Sequence, residues 1–550
     1  ARLFLGFSSC LQLFAQEPDL ILYHGKVVTV DQRFSIQEAV AVKDGRIQKV
    51  GRSGDLLNLK GPRTQLVDLG GKTVLPGLMD SHVHPTDACL TEFDHPIPEM
   101  ETIQDVLNYI QSRAKVAKEG EWIQLRQVFI TRLREQRYPT REELDRAAPR
   151  NPVIFSTGPD ASLNSLALTL SGMDKNFKVT DGGPGYIERN PETGEPTGII
   201  RSCTRFVKSQ ATGKQPTAED RKRRLLELFD DYNSVGFTGI GDRDANEDEI
   251  QLYRELHQVG KLKLRAAISR HIETIGAIEE IQKKIRAVAN DPLAQGDDLL
   301  KIIGIKTYLD GGMLTGSAYM RQPWGVSKLY SITDPQYRGL LFIPHERLLP
   351  IVRTTLECGL QFTAHSVGDG AVHALLEVYE ELNRTRPVRQ NRPCITHSNF
   401  MSAEAIEKVA KLGVVVDIQP AWLYLDTRTL VGHFGYDRLR YFQPLRSLFQ
   451  AGAIAGGGSD HMQKIGSLRS VNPYNPFLAM WVTLSRRAKN YDGTLHLEEA
   501  LSREQAIRFY TINNAHLLFR EKQTGSIEPG KLADLIVLDR DLMTCPLDDV

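Results

Sequence analysis

Six side chains in this sequence have the types and spacing to hold metal ions and move a proton. His82 and His84 follow the run Leu75-Pro-Gly-Leu-Met-Asp80-Ser81. On an extended strand, residues i and i+2 point to the same side, so two imidazoles there can reach one ion. Lys306 lies inside the apolar stretch Ile302–Leu309, His365 ends Gln361-Phe-Thr-Ala-His365, and His397 ends Cys394-Ile-Thr-His397. Asp460 follows Gly456-Gly-Gly-Ser459. Singly, each has an ordinary structural reading: a His-x-His pair is more often core or surface, and an interior lysine can snorkel. The order and placement of the set carry the signal, because each member stands on or just after a run that reads as a strand.

Those runs alternate with helical stretches, which is the α/β pattern. Nine candidate strands occur in the middle of the chain: Val74–Asp80, Val153–Ser156, Gly236–Gly241, Leu264–Ser269, Ile302–Leu309, Gln361–His365, Cys394–His397, Val414–Ile418 and Ile454–Gly457. Between them lie helices such as Ala218–Ser234, Val372–Arg384 and Ala403–Leu412. A distorted TIM-type (β/α)8 barrel has eight positions, so one of the three candidates between 150 and 270 belongs elsewhere. The carboxyl ends of barrel strands converge on one pocket, which would gather the six side chains there. Residues 98–215 break the alternation with turn clusters at Asp181-Gly-Gly-Pro-Gly185 and Gly194-Glu-Pro-Thr-Gly198, and read as a long insertion over that pocket. Both chain ends are β-rich. The expected division is a small β-sandwich from residues 17–72 and 522–550 around a barrel spanning 73–521.

Lys+Arg and Asp+Glu both number 68, so bulk charge gives no case for nucleic acid or an anionic membrane. The six cysteines, Cys10, Cys89, Cys203, Cys358, Cys394 and Cys545, are scattered without a CxxC pair, which indicates free thiols. Residues 1–16 place one positive charge before an apolar run ending Leu-Phe-Ala15-Gln. This reads as the remainder of a secretory signal, with export to the periplasm or outside the cell as the expectation and the cytoplasm as the alternative. No other stretch is long and apolar enough to span a membrane.

The ordered set resembles the amidohydrolase superfamily, in its amidohydrolase-3 (YtcJ-like) branch, which includes N-substituted formamide deformylases. Further motifs similar to that branch are Gly70-Gly-Lys-Thr-Val-Leu-Pro-Gly-Leu-Met-Asp-Ser-His-Val-His84, Asn164-Ser-Leu-Ala-Leu168, Lys306-Thr-Tyr-Leu-Asp-Gly311, Ala364-His-Ser-Val-Gly-Asp369, Gln419-Pro420 and Gly458-Ser-Asp460. The resemblance covers roughly residues 20 to 545. It implies that His82, His84 and Asp460 hold one metal and that His365 and His397 hold a second. Lys306, carboxylated by CO2, would bridge them; unmodified, it would leave a single-metal site. Zn2+ suits this ligand set, with Mn2+, Fe2+ or Co2+ less usual. The implied activity is hydrolysis of a C–N bond in a small molecule (amide, N-formyl, N-acyl or cyclic amide), with Asp460 as general base and acid. Homodimers are common in such barrels.

Three places depart from the branch pattern: Gly158-Pro-Asp160-Ala-Ser, where a histidine usually follows a glycine; Thr396, where a glutamate precedes the second-site histidine; and Ser202, where a glutamate often stands. All three are expected near the pocket. The candidates for substrate contact are Asp160, Asn164, Gln419, Trp422 and His461, with Trp324 and Tyr424 as further aromatic wall. Two other readings of the set are a metal-dependent deaminase and a metal-binding scaffold without catalysis.

Overall fold

The computed structural model describes residues 17–126 and 128–550. The expected export signal, at residues 1–16, lies outside the described residues. Eight strands form the sheet that carries the six side chains: Leu78–Val83, Phe237–Ala245, Arg265–His271, Leu300–Tyr308, Gln361–Ser366, Cys394–His397, Val415–Ile418 and Ile454–Gly457. They are counted below as the first to eighth barrel strands. Every neighbouring pair is parallel. Parallel strands covered on both faces read as continuous apolar runs, as in Leu300-Lys-Ile-Ile-Gly-Ile305.

The barrel closes between its eighth and first strands without a regular ladder. The Asp460 amide donates to the His82 carbonyl at 2.8 Å, and the His84 amide donates to the His461 carbonyl at 2.9 Å. Asn514, on the helix Ile512–Leu517, spans the seam: its Nδ2 donates to the carbonyls of Met79 at 2.6 Å and Gly457 at 2.7 Å. Gly456 makes room for it, since a Cβ there would sit 2.1 Å from Asn514 Oδ1. Asn514→Ala is expected to leave two buried carbonyls unpaired, at roughly 1–3 kcal/mol. A denaturant midpoint equal to that of the parent protein would remove the seam role.

The expected run Val74–Asp80 is two strands split at Gly77. Thr73–Pro76 pairs with Leu535–Leu538, and Leu78–Val83 opens the barrel. Val153–Ser156 is the ninth candidate and stands outside the barrel, in a five-stranded sheet with Ile123–Leu125, Asp160–Leu163, Tyr186–Arg189 and Pro196–Arg201. A four-residue apolar run reads the same in either sheet, and only its pairing partners decide. That sheet and the helices Ile103–Ala114, Arg141–Ala147 and Ser165–Ser171 lie between the first and second barrel strands. The described residues 17–77 with Lys522–Cys545 form a separate compact unit. It contains two four-stranded sheets around Leu22, Val27, Val40, Val42, Ile47, Val74 and Ile527. No helix among the described residues is long and apolar enough to cross a membrane.

Candidate active site

A cavity of about 1410 Å³ opens at the carboxyl ends of the barrel strands, lined by His82, His84, Lys306, His365, His397 and Asp460 together with residues of the inserted segment such as Arg126, Phe129, Gly158 and Ser202. At its floor, His82 Nε2 is 3.1 Å from His84 Nε2 and 3.3 Å from Asp460 Oδ1, and His84 Nε2 is 3.2 Å from the same oxygen. Among the described residues these three form a group whose ligand atoms lie within 4.8 Å of one another. Across from them, the His365 and His397 rings meet edge to face with centroids 4.4 Å apart. The His397 ring stacks on His82 at 5.0 Å on one side and on Trp422 at 4.7 Å on the other. Lys306 Nζ lies 4.6 Å over the Tyr308 ring.

Strand geometry aims these groups, and a buried outer layer fixes them. Asp417, on the seventh strand, stands 3.1 Å from His82 Nδ1 through one oxygen and accepts from Ser81 Oγ at 2.6 Å through the other. His82 therefore turns Nε2 toward the cavity, the arrangement that orients metal-binding imidazoles. Gln419 Oε1 plays the same part for His397 Nδ1 at 2.8 Å. Arg243 lies beneath, fully buried, and donates to the Ser81 carbonyl, Ser269 Oγ and Gln361 Oε1. His397 and Asp460 have φ values of 78° and 55°, a left-handed conformation that costs a non-glycine residue energy and clusters at functional sites.

The electrostatics suit a cation. Burial, reinforced by the neighbouring imidazoles, holds His82 and His397 well below their ordinary pKa. Burial and the Lys306 charge bring His365 down to about 3. All three are thus neutral and keep a lone pair for a metal. Burial opposes charge on His84, but hydrogen bonding and charge from Asp460 raise it to about 9, so a metal bound at its Nε2 would take the place of a proton. Burial also lowers the Lys306 ammonium, against the pull of Asp244. Asp417 is pushed up to about 6 by burial, with Arg243 and Ser81 opposing.

A model of the amidohydrolase family matches residues 65–550. The chain belongs to the amidohydrolase family. The N-substituted formamide deformylase of Arthrobacter pascens is 28% identical over 545 residues, covering 96% of this chain and 95% of that protein. YtcJ of Bacillus subtilis is 24% identical over 533 residues, covering 95% and 94%. A solved structure of an uncharacterized metal-dependent hydrolase from Pyrococcus horikoshii matches with a TM-score of 0.68 at 21% identity, over 96% of this chain and 99% of that one, a likeness of fold. The protein is an amidohydrolase, a hydrolase of carbon–nitrogen bonds other than peptide bonds.

The amidohydrolase does not bring all the expected substrate contacts to the cavity. Trp422 lines it. Gln419 is fully buried behind His397. His461 is fully buried and turned away, with Nδ1 2.6 Å from Tyr232 OH and Nε2 within 2.9 Å of the Gln463 and Lys464 carbonyls. Asn164 caps the helix Ser165–Ser171 and accepts from the Val153 amide. Asp160 accepts from the Ser202 amide at 2.8 Å and pairs with Arg201 at 3.2 Å, inside the inserted segment. Of the three departures from the branch pattern, Ser202 and the Gly158-Pro159 turn line the cavity, whereas Asp160 and Thr396 are enclosed. Trp324 donates to the Ala318 carbonyl and Tyr424 packs on Trp481; neither reaches the cavity wall. The described cysteines are all free, and burial raises Cys394 to about 12, which leaves it without nucleophilic character.

Sequence reasoning missed Asp244 and His271. Asp244 accepts from Tyr308 OH at 2.6 Å and lies 2.8 Å from His271 Nδ1, and all three line the cavity. The available signal was the position of Asp244 and His271 at the carboxyl ends of the second and third strands, where barrel chemistry gathers.

Proposed function

We propose that this amidohydrolase cleaves an amide-type C–N bond, N-formyl or N-acyl, at a zinc site built by His82, His84, Asp460, His365, His397 and Lys306. The observation that carries the reading is the His82–His84–Asp460 cluster, set opposite two neutral imidazoles and a buried lysine in one cavity. Similarity to a formamide deformylase over nearly the whole chain supports the N-formyl class.

His82, His84 and Asp460 would hold one ion, and His365 and His397 the other. Lys306 would bridge them as its carbamate: the unprotonated Nζ attacks CO2, the N–H proton leaves, and an anionic oxygen donor replaces a cation. Burial favours this by lowering the ammonium pKa. The metal, when bound, supplies Lewis-acid polarisation of the carbonyl and acidifies water. Asp460 takes the proton of the attacking water on a carboxylate oxygen and returns it to the leaving nitrogen as the C–N bond breaks. Trp422 walls the acyl side and holds the His397 plane.

The test combines metal analysis with amine release from a panel of N-formyl and N-acyl amines. The expected result is two zinc ions per chain and hydrolysis of at least one member, with Lys306→Met retaining one ion and losing most of the activity. Stoichiometric metal with no amide cleaved would favour the scaffold reading. Ammonia released from ring amines alone would favour a deaminase.

A further inference from the structure

We propose that Asn472 is a positioning residue for hydrolysis: it holds the peptide that carries Asp460 and so aims the Asp460 carboxylate. The inference rests on the role given to Asp460 above. Asp460 adopts φ +55°, a conformation that an aspartate tolerates but that persists only where its surroundings impose it. The two peptide planes flanking its Cα are pinned separately. The amide of Asp460 donates to the His82 carbonyl at 2.8 Å, which fixes the first plane. The carbonyl of Asp460 accepts from Asn472 Nδ2 at 2.8 Å, which fixes the second. The N–H of that second plane, on His461, has only a longer contact to Ser459 Oγ at 3.2 Å.

Asn472 is itself fully enclosed, and its orientation is set by a buried chain of contacts. Its Oδ1 lies 3.4 Å from both Nη1 and Nη2 of Arg132. Arg132 grips Asp426 through Nη2 at 2.9 Å and Nε at 3.3 Å, and donates to the carbonyl of Val471, the residue before Asn472. Arg132 belongs to the long segment inserted after the first barrel strand, and Asp426 to the helix Pro420–Phe434 that also carries Trp422. The insertion therefore reaches the reacting carboxylate through Arg132 and Asn472, and does more than wall the cavity. Without the Asn472 donor, the second plane keeps only the longer contact, and ψ of Asp460 can relax. A shift of about 1 Å at a catalytic group can cost roughly a hundredfold in rate.

Asn472→Asp keeps the shape and the acceptor facing Arg132 but has no hydrogen to donate, and Asn472→Ala removes both. Three measurements decide: kcat and KM on an amide that the parent enzyme hydrolyses, retention of zinc against a chelator, and the melting temperature. The expected result for Asn472→Asp is a melting temperature near the parental one, with kcat lowered about 10- to 100-fold and KM within about threefold. Zinc retention should weaken about tenfold, because Asp460 is also a ligand. Variants within twofold of the parent in both kcat and zinc retention would overturn the proposal, as would losses that merely follow the unfolded fraction. Should the parent hydrolyse no amide, the proposed function falls, and zinc retention alone then decides the role of Asn472.

Discussion

Asp460→Asn is expected to lower kcat of the metal-loaded enzyme by about 10³- to 10⁴-fold while leaving the fold intact. The upper part of the range given for a positioned acid–base group applies because this carboxylate has two tasks. Its Oδ1 lies within 3.3 Å of both His82 Nε2 and His84 Nε2, so it contributes the negative charge of that cluster. It is also the group proposed above to take and return the proton. An amide of the same shape keeps the contacts of the backbone, since those run through the Asp460 amide and carbonyl, but it cannot accept a proton at neutral pH. The measurement is steady-state kinetics on a cleaved amide, with metal content determined in parallel. Activity within tenfold of the parent would mean that another group performs the proton transfer, and His271 with Asp244 would then be the first to examine, because both line the same cavity.

The second large effect is on stability. Arg243→Met is expected to destabilise the barrel by about 3–5 kcal/mol, the range for removing one partner of a buried ion pair. Arg243 is fully buried, donates to Ser81, Ser269 and Gln361, and lies 3.7 Å from Asp417. Four barrel strands meet on this one guanidinium: the first through Ser81, the third through Ser269, the fifth through Gln361 and the seventh through Asp417. Methionine matches much of its length but leaves Asp417 as a buried carboxylate without its counter-ion. Because Asp417 also orients His82, metal affinity should fall together with the denaturation midpoint. A variant that melts like the parent and binds metal as tightly would show that the strands, not the guanidinium, hold this layer together.

Much of the site was legible along the chain because chemistry-bearing residues interrupt apolar runs at their carboxyl ends. His82, His365, His397 and Asp460 stand there, and Lys306 is a charge in the middle of such a run. The layer behind them was also written in the sequence, though more faintly: Asp417 sits within Val414-Val-Val-Asp-Ile418, and Arg243 within Gly241-Asp-Arg-Asp244. A charge inside an apolar strand signals a buried partner, but the sequence does not say which one. His461 shows the converse. Its place next to Asp460 made it a substrate-contact candidate, yet successive residues point opposite ways and its ring is enclosed by Tyr232 and two loop carbonyls.

The sequence by itself determined the α/β barrel, the β-rich chain ends and the six side chains facing one pocket, because strand periodicity and the parallel-barrel rule act locally and repeat. Only the tertiary structure decided which of nine candidate strands stood outside the barrel, since a short apolar run carries no record of its partner. The roles of Asp160, Asn164 and Gln419, all enclosed rather than facing substrate, were likewise settled by packing. So was the route by which Asn472, twelve residues past Asp460, and Arg132, from a distant insertion, reach the peptide of Asp460. Hydrogen bonds between residues hundreds of positions apart follow from how the elements pack, and spacing along the chain does not encode them.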